Sequence, residues 1–268
     1  MAYIKQFSNS DNPFFLYVAE TAPHWPLHAL PNDIKKNENT YREGWDAIRE
    51  KRFKKMVGLG LIDPAKTPLS PRWQNDVSWA NNPDREWDAR AMAVHAAMID
   101  RMDQGIGRIL KALKEAGKLE NTLILFLSDN GASPENAAQY GIGFDRPSET
   151  RTGQKIAYPV NKDVLPGPET TFASIGPRQA NVSNTPYQLA KADSYEGGVR
   201  TPLIAFWPKG ITVSKNSISN RTGHVMDFMS TIIDVANAWY PASYKGNTIK
   251  PLQGLSCLLY TSPSPRDS

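Results

Sequence analysis

Thr122-Leu-Ile-Leu-Phe-Leu-Ser-Asp-Asn-Gly131 is a continuous apolar run stopped by a polar turn. A run of that kind, rich in β-formers and without alternation, predicts a strand covered on both faces, as in a parallel sheet. Directly before it lies the chain's clearest helical pattern, from about Glu86 to Ala116. Val94, Met98, Met102, Ile106, Ile109 and Leu113 recur there as one apolar stripe. Gly117 stands just past the end of that stripe, where a left-handed backbone closes a helix. Helix followed by apolar strand is the rhythm of α/β architecture.

Working outward, two more runs read as buried strands: Pro13-Phe-Phe-Leu-Tyr-Val-Ala19 and Pro202-Leu-Ile-Ala-Phe-Trp207. Trp45, Ile48, Met56 and Leu59 predict a helix from Tyr41 to about Leu59. Phe228, Ile232, Val235 and Trp239 predict another from Val225 to Trp239. Pro23, Pro26 and Pro31 predict irregular backbone after the first strand, and Pro64, Pro68, Pro71 and Pro83 mark residues 62–83 as loop. Residues 131–190 are rich in Gly, Pro and Asn and weakly periodic. They are expected to form a long surface excursion with one short helix at most. The fold expected is α/β, with a mostly parallel central sheet and helices on both faces.

Composition narrows the class. The chain has 268 residues, 40% of them hydrophobic, enough to bury a sizeable core. Its 31 basic and 27 acidic residues leave a net charge of +4, and the short run Lys51–Lys55 falls in a helical pattern, where it reads as a solvated face. No nucleic-acid partner is expected, and a mildly basic surface is compatible with an anionic substrate. No apolar run approaches the roughly 20 residues of a membrane span, so none is expected. The single cysteine, Cys257, excludes an internal disulfide framework. The first residues show no signal-peptide pattern, and the chain enters an apolar strand within a few residues of Met1. At the other end, Cys257-Leu-Leu-Tyr-Thr-Ser-Pro-Ser-Pro-Arg-Asp-Ser268 resembles the translation of a transposase-type sequencing adapter. Residues 257–268 are therefore expected to be a non-native tail, and the fold to be incomplete at both ends.

Four features carry chemistry, each at a strand end or in a neighbouring loop, the edge where open α/β sheets bind ligands. In Thr21-Ala-Pro-His24-Trp-Pro-Leu-His28, a loop histidine can donate to an anion or protonate a leaving group, or simply sit on the surface. In Ser128-Asp129-Asn130-Gly131, a carboxylate and an amide oxygen suit Ca²⁺ or Mg²⁺, although Asp-Asn-Gly is also an ordinary turn. In Lys191-Ala-Asp-Ser-Tyr-Glu-Gly-Gly-Val-Arg200, Lys191 offers a compact positive charge for an oxyanion. Glu196 and Arg200 are expected to pair and hold that loop. In Gly223-His224-Val-Met-Asp227, the expected role is structural, at the start of a helix.

Taken jointly, Pro13-Phe-Phe-Leu-Tyr with Ala-Pro-His24-Trp-Pro, then Leu-Ser-Asp129-Asn130-Gly, then Lys191 with Tyr-Glu-Gly-Gly-Val-Arg200, resemble the arylsulfatases of the alkaline phosphatase superfamily. The resemblance runs from about Pro13 to Ser256 and includes Leu252-Gln-Gly-Leu-Ser256. It implies an alkaline-phosphatase-like fold, with residues 1–256 a partial catalytic domain, and hydrolysis of sulfate esters. Asp129 and Asn130 would be ligands of a divalent cation, usually Ca²⁺. His24 would contact the ester and protonate the leaving alcohol, and Lys191 would bind sulfate oxygens or the bridging oxygen. The substrate implied is a sulfated small molecule or carbohydrate, and the location periplasmic or secreted.

The family's nucleophile is a formylglycine made in a Cys/Ser-x-Pro-x-Arg motif. That motif is absent: Ser70-Pro-Arg72 has the wrong spacing, and Ser262-Pro-Ser-Pro-Arg266 also departs from it. The aspartate pair that completes the family's metal site is missing too. The chain alone is therefore expected to be inactive. Two other readings stay open at this point: a phosphate or phosphonate ester hydrolase of the same superfamily, and a non-catalytic remnant of the fold.

Overall fold

The structure is a computed structural model and describes residues 2–10, 12–73, 77–139, 146–158, 160–212 and 217–260. Most of the expected tail, residues 261–268, therefore lies outside the described residues. The chain divides into two compact units. The larger comprises Tyr17–Ile109 with Asn130–Pro202, and the smaller Met1–Leu16, Leu110–Asp129 and Leu203–Ser268.

The larger unit is built on helices α2 (Pro31–Asn37), α3 (Gly44–Gly58), most of α4 (Arg85–Glu115), α5 (Gly176–Ser183) and the single turn α6 (Glu196–Val199). Pro31 occupies the first turn of α2, where its missing N–H costs nothing. The proline cluster after residue 19 therefore hides a helix that irregular backbone was expected to replace. The part of α4 in this unit is buried well beyond one stripe, at Trp87, Ala91, Met92, Ala93, Val94 and Ala97, and small alanines allow that close approach. Asp33 of α2 is almost enclosed and is paired with Arg101 of α4, whose guanidinium holds its carboxyl below the usual carboxylate range.

Residues 131–190 are not the surface excursion that their composition suggests. Ala173, Ile175, Ala180, Val182 and Ala190 lie in the same core as Leu27, Trp45 and Val94. A segment without periodicity can still fill a core when its few apolar residues cluster at its far end. Local hydrogen bonds then satisfy the backbone, as when Ala157 donates to Thr170 and Thr171 to Pro168.

In the smaller unit the helical elements are α1 (Ala2–Ser8), the end of α4 and α7 (Asp227–Val235). α4 closes as expected: Gly117 has φ +68°, Lys118 donates to the Leu113 carbonyl and Gly117 to that of Lys114. Strands β1 (Ile124–Leu127) and β2 (Leu203–Phe206) pair antiparallel, Ile124 opposite Phe206 and Leu127 opposite Leu203. A two-residue hairpin, β3 (Ser243–Tyr244) with β4 (Asn247–Thr248), follows α7.

The expected mostly parallel central sheet is not found among the described residues. Parallel order was inferred from apolar runs covered on both faces, but these runs are not so covered: all of β2 is exposed, Ile204 to 60%. Among the described residues, parallel pairing is seen at an isolated bridge between His28 and Gly167. Nor is Pro13–Ala19 a strand. Its Phe15 and Tyr17 are 70% and 79% exposed, and no ladder partner lies beside it among the described residues. Composition supplies propensity, but a strand exists only through pairing. No described helix is long and apolar enough to cross a membrane.

Candidate functional site

The loop carrying His24 is fixed at its downstream end by two backbone bonds, from Leu27 to the Ala173 carbonyl (2.9 Å) and from Ala29 to that of Gly167 (3.1 Å). His28 adds a third, with Nε2 donating to the Thr171 carbonyl at 2.7 Å. Upstream, the His24 N–H closes a turn onto Thr21. His24 itself is exposed.

Lys191 meets it. Lys191 Nζ lies 3.3 Å from His24 Nε2, although 167 residues separate the two in the chain. On the other side of the ring, Nδ1 is 2.8 Å from the Trp25 carbonyl. A lysine ammonium has only donors, and a carbonyl only accepts. The two contacts are mutually consistent when Nδ1 carries the ring proton and Nε2 presents its lone pair to Lys191.

Asn130 begins a turn that is bonded to the lysine loop. Gly131 N–H donates to the Gly198 carbonyl (2.8 Å), and Lys191 N–H to that of Ala132 (3.0 Å). The approach at Gly131 is close enough that a Cβ there would fall 1.7 Å from the Gly197 carbonyl oxygen, so only glycine fits. Asn184 ties the same two segments by its side chain: Oδ1 accepts from Ala132 N–H at 2.8 Å, and Nδ2 donates to the Leu189 carbonyl at 3.0 Å. Glu196 and Arg200 pair at 2.8 Å, as expected for the loop that holds the glycine pair.

Asp129 follows β1 and Ser128 and is exposed, while Asn130 is half-buried. The Asn130 amide nitrogen donates to the Gly131 carbonyl at 2.9 Å, so any coordination by this residue would run through Oδ1. A carboxylate and an amide oxygen are hard donors of the kind Ca²⁺ takes, but they fill only part of its roughly six to eight positions. Among the described residues no group of three or more His, Cys, Asp and Glu could hold a metal ion. The donor chemistry of Asp129 and Asn130 thus fits part of such a site.

In the smaller unit, the fourth feature is structural. Asp227 begins α7 and is buried. It accepts from His224 N–H at 2.8 Å and from Leu255 N–H at 2.9 Å, and these bonds pull its carboxyl below the ordinary carboxylate range.

Two supports of the site escaped the sequence reading. One is Asn184, 52 residues from its Ala132 partner. The other is the Trp25 indole, which donates to Glu135 Oε2 (3.0 Å) and Ser133 Oγ (3.2 Å) and packs edge-on against Phe172. A half-buried indole must find a partner for its N–H, but nothing in the spacing says which acid supplies it.

Comparison with known proteins gives this geometry its context. The family model described as Sulfatase matches residues 1–238. An uncharacterized sulfatase of Schizosaccharomyces pombe is 34% identical over 242 residues, covering 89% of this chain and 42% of that protein. The arylsulfatase of Klebsiella aerogenes is 33% identical over 270 residues, covering 95% and 54%. The chain thus spans about half the length of the curated relatives it matches. The crystal structure of Ps i-CgsB in complex with k-i-k-neocarrahexaose aligns with a TM-score of 0.49 at 21% identity, covering 97% of this chain and 36% of that one. With the model match spanning most of its residues, the chain belongs to the sulfatase family.

Proposed function

We propose that this chain carries part of the active site of a sulfuric ester hydrolase and that it is inactive by itself. The observation behind this reading is the His24–Lys191 pair at 3.3 Å, within a unit where Asn130 and the lysine loop are bonded together. Hydrolysis of a sulfate monoester needs charge on the non-bridging oxygens held and the departing oxygen protonated or stabilised. Lys191 supplies the cation for those oxygens, and His24 exchanges a proton at Nε2, the ring nitrogen that faces Lys191. Asp129 and Asn130 would contribute oxygens to a Ca²⁺ ion, which when bound polarises the sulfate group. The substrate on this reading is a sulfated small molecule or carbohydrate, met in the periplasm or outside the cell.

The Cys/Ser-x-Pro-x-Arg motif that yields the family nucleophile is absent from these residues. The purified chain, assayed with an aryl sulfate and Ca²⁺, is therefore expected to show no turnover. A rate above the no-protein control that Lys191→Ala abolishes would overturn the proposed inactivity. For the hydrolase reading, a longer form that supplies the motif should cleave the sulfate ester in preference to the matching phosphate ester, and the reverse preference would refute it.

A further inference from the structure

We propose that Trp25 and Glu135 act as a positioning couple for His24, holding its ring proton on Nδ1 and leaving Nε2 as the nitrogen that meets the substrate. The inference rests on the sulfatase reading for its purpose, but its geometry stands apart from it. Trp25 touches the histidine and the body of the unit through different atoms. Its carbonyl lies 2.8 Å from His24 Nδ1. Its indole N–H is anchored on Glu135 and Ser133, and the Ser133 hydroxyl donates to the same Glu135 oxygen. Glu135 is held in turn from behind, where Ser174 Oγ donates to its carbonyl at 2.8 Å and accepts from Ala137 N–H at 2.8 Å. The indole is wedged against Phe172, next to the core residue Ala173, whose carbonyl pins Leu27 of the same loop.

The tautomer of a histidine is set by the hydrogen bond that its other nitrogen makes. The Trp25 carbonyl can accept from Nδ1 only while the Trp25–Pro26 peptide keeps its orientation toward the His24 ring. The Arg146 guanidinium lies over the Trp25 ring at 5.8 Å, and the indole N–H anchor ties residue 25 to residues 133–135. Removing it frees the carbonyl to rotate and lets the ring exchange tautomers. Trp25 and Glu135 are positioning residues in this sense, since neither is assigned a contact with the ester.

The test uses the full chain labelled with ¹⁵N, and reads the two-bond ¹H–¹⁵N correlations of the imidazoles at a pH where they are neutral. The chain has four histidines, and the His24 signals are those lost in His24→Gln. In the unaltered chain, His24 is expected to show a protonated Nδ1 and a lone-pair Nε2. Trp25→Phe keeps the ring against Phe172 but removes the N–H, and it should shift His24 toward the other tautomer. Glu135→Leu should do the same, whereas Glu135→Gln, which retains an accepting oxygen, should keep the original pattern. Unchanged signals from His28, His95 and His224 certify the fold in each variant. A proton on Nε2 in the unaltered chain overturns the proposal, and so does an unchanged His24 pattern in both Trp25→Phe and Glu135→Leu. Should Trp25→Phe fail to fold, the Glu135 pair and the unaltered chain still decide. The readout needs no substrate, so a lack of sulfatase activity would leave it standing, and its own failure would leave the sulfatase reading untouched.

Discussion

His95 is the sharpest handle on the larger unit. It lies in the buried stretch of α4, is 8% exposed, and burial pushes its pKa down from 6.5 to about 4. A buried neutral imidazole makes the folded state bind fewer protons than the unfolded chain between those two values. Stability must therefore rise with pH across that window and be lost as pH falls, by about 1.4 kcal/mol per unit below 6.5. Between pH 7.5 and pH 5 the loss from this one residue comes to about 2 kcal/mol. At pH 4 the loss is about 3 kcal/mol, and it levels off just below that pH. Urea unfolding followed by tryptophan fluorescence should show the midpoint falling by on the order of 1 M over that interval. His95→Gln removes the titrating group. Its own midpoint will differ from the start, so the quantity to compare is the dependence on pH, which should flatten between pH 6.5 and 5. The depressed carboxyls of Asp33 and Asp227 act below that window and leave the comparison clean. If His95→Gln keeps the slope of the unaltered chain, the burial argument is wrong.

Asp227→Ala removes the acceptor of two backbone N–H groups and should cost the smaller unit about 1–3 kcal/mol by thermal unfolding. Because the folded carboxyl titrates below its unfolded value of 3.8, this contribution is present above that pH and disappears as pH falls through the folded value. Gly131→Ala forces a methyl group into the Gly197 carbonyl and should separate the Asn130 turn from the lysine loop, read as increased amide exchange at Gly131 and Lys191. Asn184→Leu leaves the Ala132 N–H and Leu189 carbonyl unpaired and should destabilise the larger unit by about 2 kcal/mol in urea titration. In a longer form of the protein that turns over sulfate esters, Lys191→Ala should lower kcat about 10²–10³-fold, and His24→Gln about 10²–10⁴-fold with a larger loss for poor leaving groups.

What could be read in advance follows physical range. α4, its Gly117 cap and the two runs that became β1 and β2 rest on interactions among near neighbours, and their positions were legible to within a few residues. Pairing is a property of two segments, so neither the antiparallel direction of β1 and β2 nor the lack of a ladder partner for Pro13–Ala19 among the described residues could be read from either run alone. Residues 131–190 misled for a related reason. Their prolines and glycines describe local backbone, whereas Ala173 and Ile175 are placed in a core shared with the distant helices. Of the candidate residues, the histidine, the Asp-Asn-Gly turn and the lysine stood out because their order resembles a family; of the three, only the Asp-Asn-Gly turn follows a strand among the described residues. The contact between Trp25 and Glu135 spans 110 residues, and no spacing rule reaches that far.

The β1–β2 pair has one further consequence. Among the described residues neither strand of this two-stranded sheet is interior: each has one side turned to its neighbour and no strand paired on the other, and the residues along β2 are apolar and bare. Backbone donors and acceptors arrayed on an apolar ribbon are a template for any other extended chain. Material concentrated in the test tube should therefore associate first through this ribbon, and a lysine placed at Ile204 should raise the concentration at which it stays monodisperse while leaving His24 and Lys191 as they are.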